Sequence, residues 1–213
     1  MKDFYGAINF TGETRAGPFW WQIIRGQKAQ TIREPRKDGR DHVKMGELTK
    51  LYWKMRIRAE KKPIHLIAYA KVLAYERISL LEVWFDEENA RADGFEDLDE
   101  FRLWFLPGWF EFSDIEQEAV RAASEVGRDI AMTLGRAFGK NKLAEAISKL
   151  QEPMMRIEFE VVAAARPTCP ICGKRDASLT PVEADAAACQ LCNQVSAIEN
   201  FQWDPPVLFQ RIA

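Results

Sequence analysis

Polar and apolar residues alternate along Met155-Arg156-Ile157-Glu158-Phe159-Glu160-Val161. That period puts Arg156 and both glutamates on one face of a strand and Met155, Ile157, Phe159 and Val161 on the other. A longer apolar run, Ile64 to Leu73, reads as a strand rich in β-formers. Between Leu48 and Ile57 the alternation is imperfect: Leu51, Trp53, Met55 and Ile57 share a face, and Lys50, Lys54, Arg56 and Arg58 crowd the other. Ala7-Ile8-Asn9-Phe10 is a shorter strand, and the polar, glycine-containing stretch from Thr11 to Pro18 is a predicted loop.

Helical spacing takes over elsewhere. Phe19 with Ile23 and Trp20 with Ile24 recur at i+4, which predicts a helical turn whose aromatic rings belong to the core. Asp97-Leu98-Asp99-Glu100 is a helix start, followed by an apolar stripe of Leu98, Phe101, Trp104 and Phe105 that Pro107-Gly108 ends. Ser113-Asp114-Ile115-Glu116 is a capping box ahead of alanine-rich helical sequence, which Gly127 and Gly139 divide into short helices. The last of these carries Leu143, Ile147 and Leu150, and Pro153 stops it.

Composition changes this picture little. The 213 residues are 47% apolar and 29% charged, enough for one core and a small appendage. No stretch approaches the roughly 20 apolar residues of a membrane helix, and the start lacks a signal-peptide pattern, so the expectation is a cytoplasmic protein with no membrane partner. Charge adds more. From Arg25 to Lys71 there are 14 Lys/Arg against 5 Asp/Glu; from Glu76 to Glu125 there are 4 against 15. Such opposed segments either pair with each other or leave a basic face able to meet phosphates. In the exposed loop Glu34–His42, Arg36, Lys37 and Arg40 are candidates for phosphate contact. His65, with no partner motif, reads as structural.

One stretch carries chemistry. In Gly26-Gln27-Lys28-Ala29-Gln30-Thr31-Ile32-Arg33, a glycine ends an apolar element and an alternating strand follows, with a lysine at the junction and a hydroxyl three residues on. A lysine there either lies in solvent or points into a cleft, where burial would lower its pKa and make it a usable base. The run resembles the Gly-x-Lys-x-x-Thr/Glu-x-Arg signature of the ASCH domain, a PUA-like β-barrel family. Gly46-Glu47-Leu48, then Ala92-Asp93-Gly94-Phe95 and Leu98-Asp99-Glu100-Phe101, resemble further segments of that family in the same order.

The resemblance covers roughly residues 5–107 and a closing strand near 154–163. It implies an α+β fold: a PUA-like mixed β-barrel over 1–163 with flanking helices and a helical insertion near 109–152. It also implies two functions for the cleft. The first is binding of RNA, DNA or a modified nucleobase, with Lys28, Thr31, Arg33, Arg36, Lys37 and Arg40 in contact. The second is amide hydrolysis on an N4-acylcytidine-type nucleoside, with Lys28 as base, Thr31 as activated hydroxyl and Asp93 as the acid. The family's hydrolases carry a glutamate where this chain has Asp93, one methylene shorter.

All four cysteines lie in the tail, as Cys169-Pro170-Ile171-Cys172 and Cys189-Gln190-Leu191-Cys192, with 16 residues between the pairs. This is the spacing of a tetrahedral zinc site built from four cysteines, with Gly173 or Asn193 allowing the left-handed turn after each pair. Disulfides are not expected in a chain without export signals. Four thiolates leave no open coordination position, so the Zn2+ of the zinc ribbon (164–213) is structural. The third reading is a zinc-stabilised scaffold that binds a partner protein through the insertion or the ribbon.

Overall fold

The computed structural model describes residues 4–53, 65–126, 141–175, 179–183, 186–204 and 206. The expected end of the 48–57 strand beyond residue 53 and the helix breaks at Gly127 and Gly139 lie outside them.

The chain opens with strand β1 (Phe4–Phe10) and a two-residue hairpin, β2 (Glu13–Thr14) with β3 (Gly17–Pro18), in the stretch expected to be loop. Helix α1 (Phe19–Ile24) follows, then β4 (Gln30–Arg33), β5 (Leu48–Trp53) and β6 (His65–Ser79). Three short helices come next: α2 (Leu80–Val83), α3 (Glu87–Ala92) and α4 (Leu98–Phe105). Then come α5 (Asp114–Val126), α6 (Asn141–Leu150) and strand β7 (Pro153–Ala164), so Pro153 opens a strand two residues after the helix has ended.

Five strands form one mixed sheet in the order β1-β5-β6-β7-β4, with β1 parallel to β5 and every other pair antiparallel. The 15-residue β6 organises it. Its first half pairs with β5, while β7 runs along it from Ala68 to Ser79, with register shifts at Tyr69/Ala70 and Val72/Ala74. Such bulges sharpen the twist of a strand pair, and the sheet curls into a half-barrel. The strand near 154–163 was expected to close a barrel; instead it is an interior strand, and β1 and β4 are the two edges. Arg33 of β4 spans them: its guanidinium donates to the Asn9 carbonyl of β1 and lies 5.2 Å from the centroid of the Phe10 ring. An Arg side chain thus stands where ladder bonds would complete a barrel.

The alternation read from the sequence sets the inner face. Thr49, Leu51 and Trp53 are buried along β5, and Ile157 and Phe159 along β7, while Arg156 pairs across the outer ladder with Glu76. Val120, Leu143, Ile147 and Leu150 of the insertion join the same core beside Trp84 and Trp109. Helix α4 starts as predicted, with the Asp97 carboxylate accepting from the Glu100 amide. Glu100, however, does not complete a capping box; it accepts from the amides of Arg15 and Glu96 and so fixes the β2–β3 hairpin to the helix.

The tail adds β8 (Arg166–Thr168), β9 (Leu179–Glu183), β10 (Ala186–Cys189), β11 (Val195–Ala197) and β12 (Gln202–Asp204). β8 pairs with β12, and β9, β10 and β11 form a three-stranded sheet. Trp203 anchors it to the half-barrel, with its ring 6.0 Å from Trp20 and 6.1 Å from His65, and the Trp21 indole donates to the Leu179 carbonyl. His65 is accordingly packed between Trp53 and Trp203, a core position.

Candidate functional site

Lys28 lies where α1 gives way to β4. The left-handed Gly26 ends the helix, and the Gln22 carbonyl takes the amides of both Gln27 and Lys28, which turns the chain inward. The lysine side chain is 1% exposed. Its ammonium donates to the Asp93 carboxylate and to the Asp93 backbone carbonyl, and sits 4.4 Å from the Phe19 ring centroid. Asp93 ends α3, and its second oxygen accepts from the Ile32 amide at 3.2 Å. Gln30 holds the same helix against β4 through the Asn89 side chain and carbonyl.

The Asp93-Gly94-Phe95 turn closes tightly over this pair. Gly94 has φ +92°, and a Cβ there would stand 2.4 Å from Gln22 Oε1 and 3.3 Å from the Lys28 side chain. The Gly94 carbonyl accepts from Thr14, whose hydroxyl in turn accepts from the Gln22 amide. Glycine is therefore required where the backbone must approach the lysine stem.

Burial pushes the Lys28 ammonium down from its ordinary value and the Asp93 carboxyl up, against the attraction between them, which acts the other way on each. Both shifts bring the neutral amine–acid pair closer in energy to the ionic one. A lysine whose ammonium form is destabilised in this way is moved in the direction a general base requires.

Above the pair lies a cleft of about 450 Å³. Phe10, Phe19, Phe95, Trp104 and Phe105 form its aromatic walls; Lys28, Thr31, Arg33 and Asp93 supply the polar groups. Trp104 meets Phe19 and Phe95 edge-on, both at 5.7 Å, yet remains 47% exposed. Thr31 lines the cleft, and among the described residues its hydroxyl takes no hydrogen-bond partner.

The structure thus brings together Lys28, Thr31, Arg33 and Asp93. It does not bring Arg36, Lys37 or Arg40 to the cleft. That loop is exposed as expected, but Arg36 makes a two-pronged contact with Asp38, and Arg40 points to the same carboxylate. Asn9, Phe10, Thr11, Phe19, Phe95, Trp104 and Phe105 were not read as site residues from the sequence. Trp104 shares its helical spacing with the buried Phe101, and nothing in that period separates a rim residue from a core one.

The cysteines form a second candidate site. All four Sγ atoms lie within 4.8 Å of one another, with Cys169 to Cys192 at 3.8 Å and Cys172 to Cys189 at 3.9 Å. Four thiolates around zinc at about 2.3 Å stand about 3.8 Å apart, so the donor set and its spacing fit a metal ion such as zinc. Each pair sits on the same turn: Gly173 donates to the Cys169 carbonyl and Asn193 to that of Cys189, both with positive φ, as the spacing required.

Among known proteins, the chain is similar in shape to the crystal structure of protein EF3133 from Enterococcus faecalis V583, a member of the DUF984 family. The likeness has a TM-score of 0.38 at 14% identity and covers 75% of this chain and 82% of that one. No family model and no curated protein matches the sequence. Among the described residues no helix is long and apolar enough to cross a membrane.

Proposed function

We propose that this chain is a PUA-like module of the ASCH type whose cleft receives one nucleobase, and that it hydrolyses the amide of an N-acylated nucleoside such as N4-acylcytidine. What carries the reading is the buried Lys28–Asp93 pair at the floor of an aromatic cleft that Thr31 also lines. The aromatic rings take the faces and edges of a planar base. Lys28, as the free amine, accepts the Thr31 hydroxyl proton while the oxygen attacks the acyl carbon. The C–N bond breaks and the proton passes from Lys28 to the departing exocyclic nitrogen. Water then cleaves the threonyl ester, releasing a carboxylate and the free nucleoside. Asp93 orients the amine and, as the carboxylate, offsets the positive charge that the amine gains in between. The ribbon, with zinc bound, holds α1 from behind through Trp203 and so supports the helix that leads to Lys28.

Incubation with N4-acetylcytidine and mass spectrometry of the products tests this. Turnover by the wild-type protein, abolished in Lys28→Ala and in Thr31→Ala, is expected. No turnover by folded, zinc-loaded protein defeats the hydrolase reading on this substrate.

One observation favours a second reading, a module that binds a modified base within RNA or DNA: half-exposed Trp104 offers a ring face at the rim to a flanking base. Steeply salt-dependent RNA or DNA binding without turnover would select it.

A further inference from the structure

The β2–β3 hairpin has no part in the chemistry proposed for the cleft, yet it is tied to the turn that covers Lys28. Thr14, 8% exposed, donates its hydroxyl to the Gly94 carbonyl at 2.7 Å, closer than its 3.2 Å approach to the Gly17 carbonyl. The same oxygen accepts from the Gln22 side-chain amide at 2.9 Å, and that amide also donates to the Gly17 carbonyl at 2.6 Å. With its amide protons spent on the hairpin, Gln22 turns Oε1 toward Gly94. Gln22 also acts through its backbone, since its carbonyl takes the Lys28 amide. A ring of contacts therefore closes from the Lys28 backbone through Gln22, Thr14 and the 93–94 turn to the Asp93 groups that accept from the Lys28 ammonium. The hairpin itself is fixed from its far side, where Arg15 bonds Glu100 and Asp97 at the start of α4.

We propose that Thr14 and Gln22 are positioning residues for Lys28: they hold the 93–95 turn down on the lysine and keep water from its ammonium. The inference rests on the reading of Lys28 as the reacting base and names what maintains it in that state. Asp93 and Arg33 are the charged groups that act on Lys28, while Gln22 of α1 and Thr14 of the hairpin are uncharged. Burial outweighs the attraction of Asp93 in setting the proton affinity of Lys28. A turn released from its tether admits water, and Lys28 then moves back up toward its ordinary value.

Titration of Lys28 by NMR, on protein carrying isotope-labelled lysine, tests this without depending on turnover. Thr14→Val keeps the shape but removes the hydroxyl, and should raise the Lys28 midpoint by about one unit or more. Thr14→Ser keeps the hydroxyl and should titrate as wild type. Gln22→Met removes the amide instead and should shift the midpoint the same way, so the test stays decisive if one variant does not fold. An unchanged or lowered midpoint in either variant overturns the assignment, and so does a rise that Thr14→Ser shares. Hydrolysis of N4-acetylcytidine is assayed separately. There the acid limb of the rate profile should move up with the NMR midpoint, a tenfold loss of rate per unit at pH below both, with KM unchanged. Turnover whose acid limb does not move in Thr14→Val leaves the hydrolase standing and removes the positioning role. A raised midpoint in a protein without turnover does the reverse.

Discussion

Replacing Asp93 by Asn isolates the energetics of the site. The substitution keeps the shape and an acceptor for the Ile32 amide, but removes the charge facing Lys28. The side chains are 1% and 5% exposed, so water cannot take the place of the carboxylate. An ammonium left alone there costs about 3–5 kcal/mol, the range found when one partner of a buried pair is lost. The lysine has an escape that sets a ceiling. It can fold as the neutral amine, and removing a proton at pH 7 from a group whose unfolded value is near 10.4 costs about 4.6 kcal/mol. The two figures agree.

The neutral-amine route also has a definite sign with pH. The unfolded chain binds the proton and the folded variant does not, so the stability of Asp93→Asn rises with pH by up to about 1.4 kcal/mol per unit, until the unfolded lysine itself deprotonates. Urea unfolding of wild type and variant at pH 7, 8, 9 and 10 measures this. The gap should be large at pH 7 and nearly closed at pH 10. A loss below about 1 kcal/mol at pH 7, or one that does not change over this range, would show that the lysine is not held as the structure places it.

Gly94→Ala puts a Cβ 2.4 Å from Gln22 Oε1 at a φ of +92° and should cost about 1–3 kcal/mol in urea unfolding, since both strain and overlap act there. Purified protein should contain one zinc per chain by elemental analysis, and Cys172→Ser should lose it; chelation should then loosen the tail, read as a change in Trp203 fluorescence. Burial lowers the His65 pKa, with the Glu199 carboxylate opposing, so the unfolded histidine gains its proton first as pH falls below about 6.5. Stability should therefore fall between pH 7 and 5 by up to about 1.4 kcal/mol per unit. His65→Phe should flatten that slope in the same unfolding assay.

Features that depend on near neighbours in the chain are legible in the order of residues alone. The alternation at 155–161, the Asp97 cap and the two cysteine turns each arise within a few residues, so their spacing carries the geometry. The four cysteines of the tail are the clearest case, since two short turns bring the thiols of each pair together whatever surrounds them. Lys28 and Thr31 are legible as candidates from the glycine-then-strand pattern, and Asp93 only through a resemblance.

Whether Lys28 is buried was decided by tertiary structure, because its partner lies 65 residues away and the turn that covers it depends on Gly94 meeting Gln22. The same holds for the open sheet. Strand periodicity predicts which face is buried but not whether two edges reach each other, and here Arg33 occupies the gap. It holds too for Trp104, whose helical position matches a core residue and whose exposure comes from the cleft beside it. Sequence by itself determined the local chemistry: which residues could ligate, cap or alternate. Only the fold determined which of them share a low-dielectric cleft, because desolvation depends on what distant segments pack around a group.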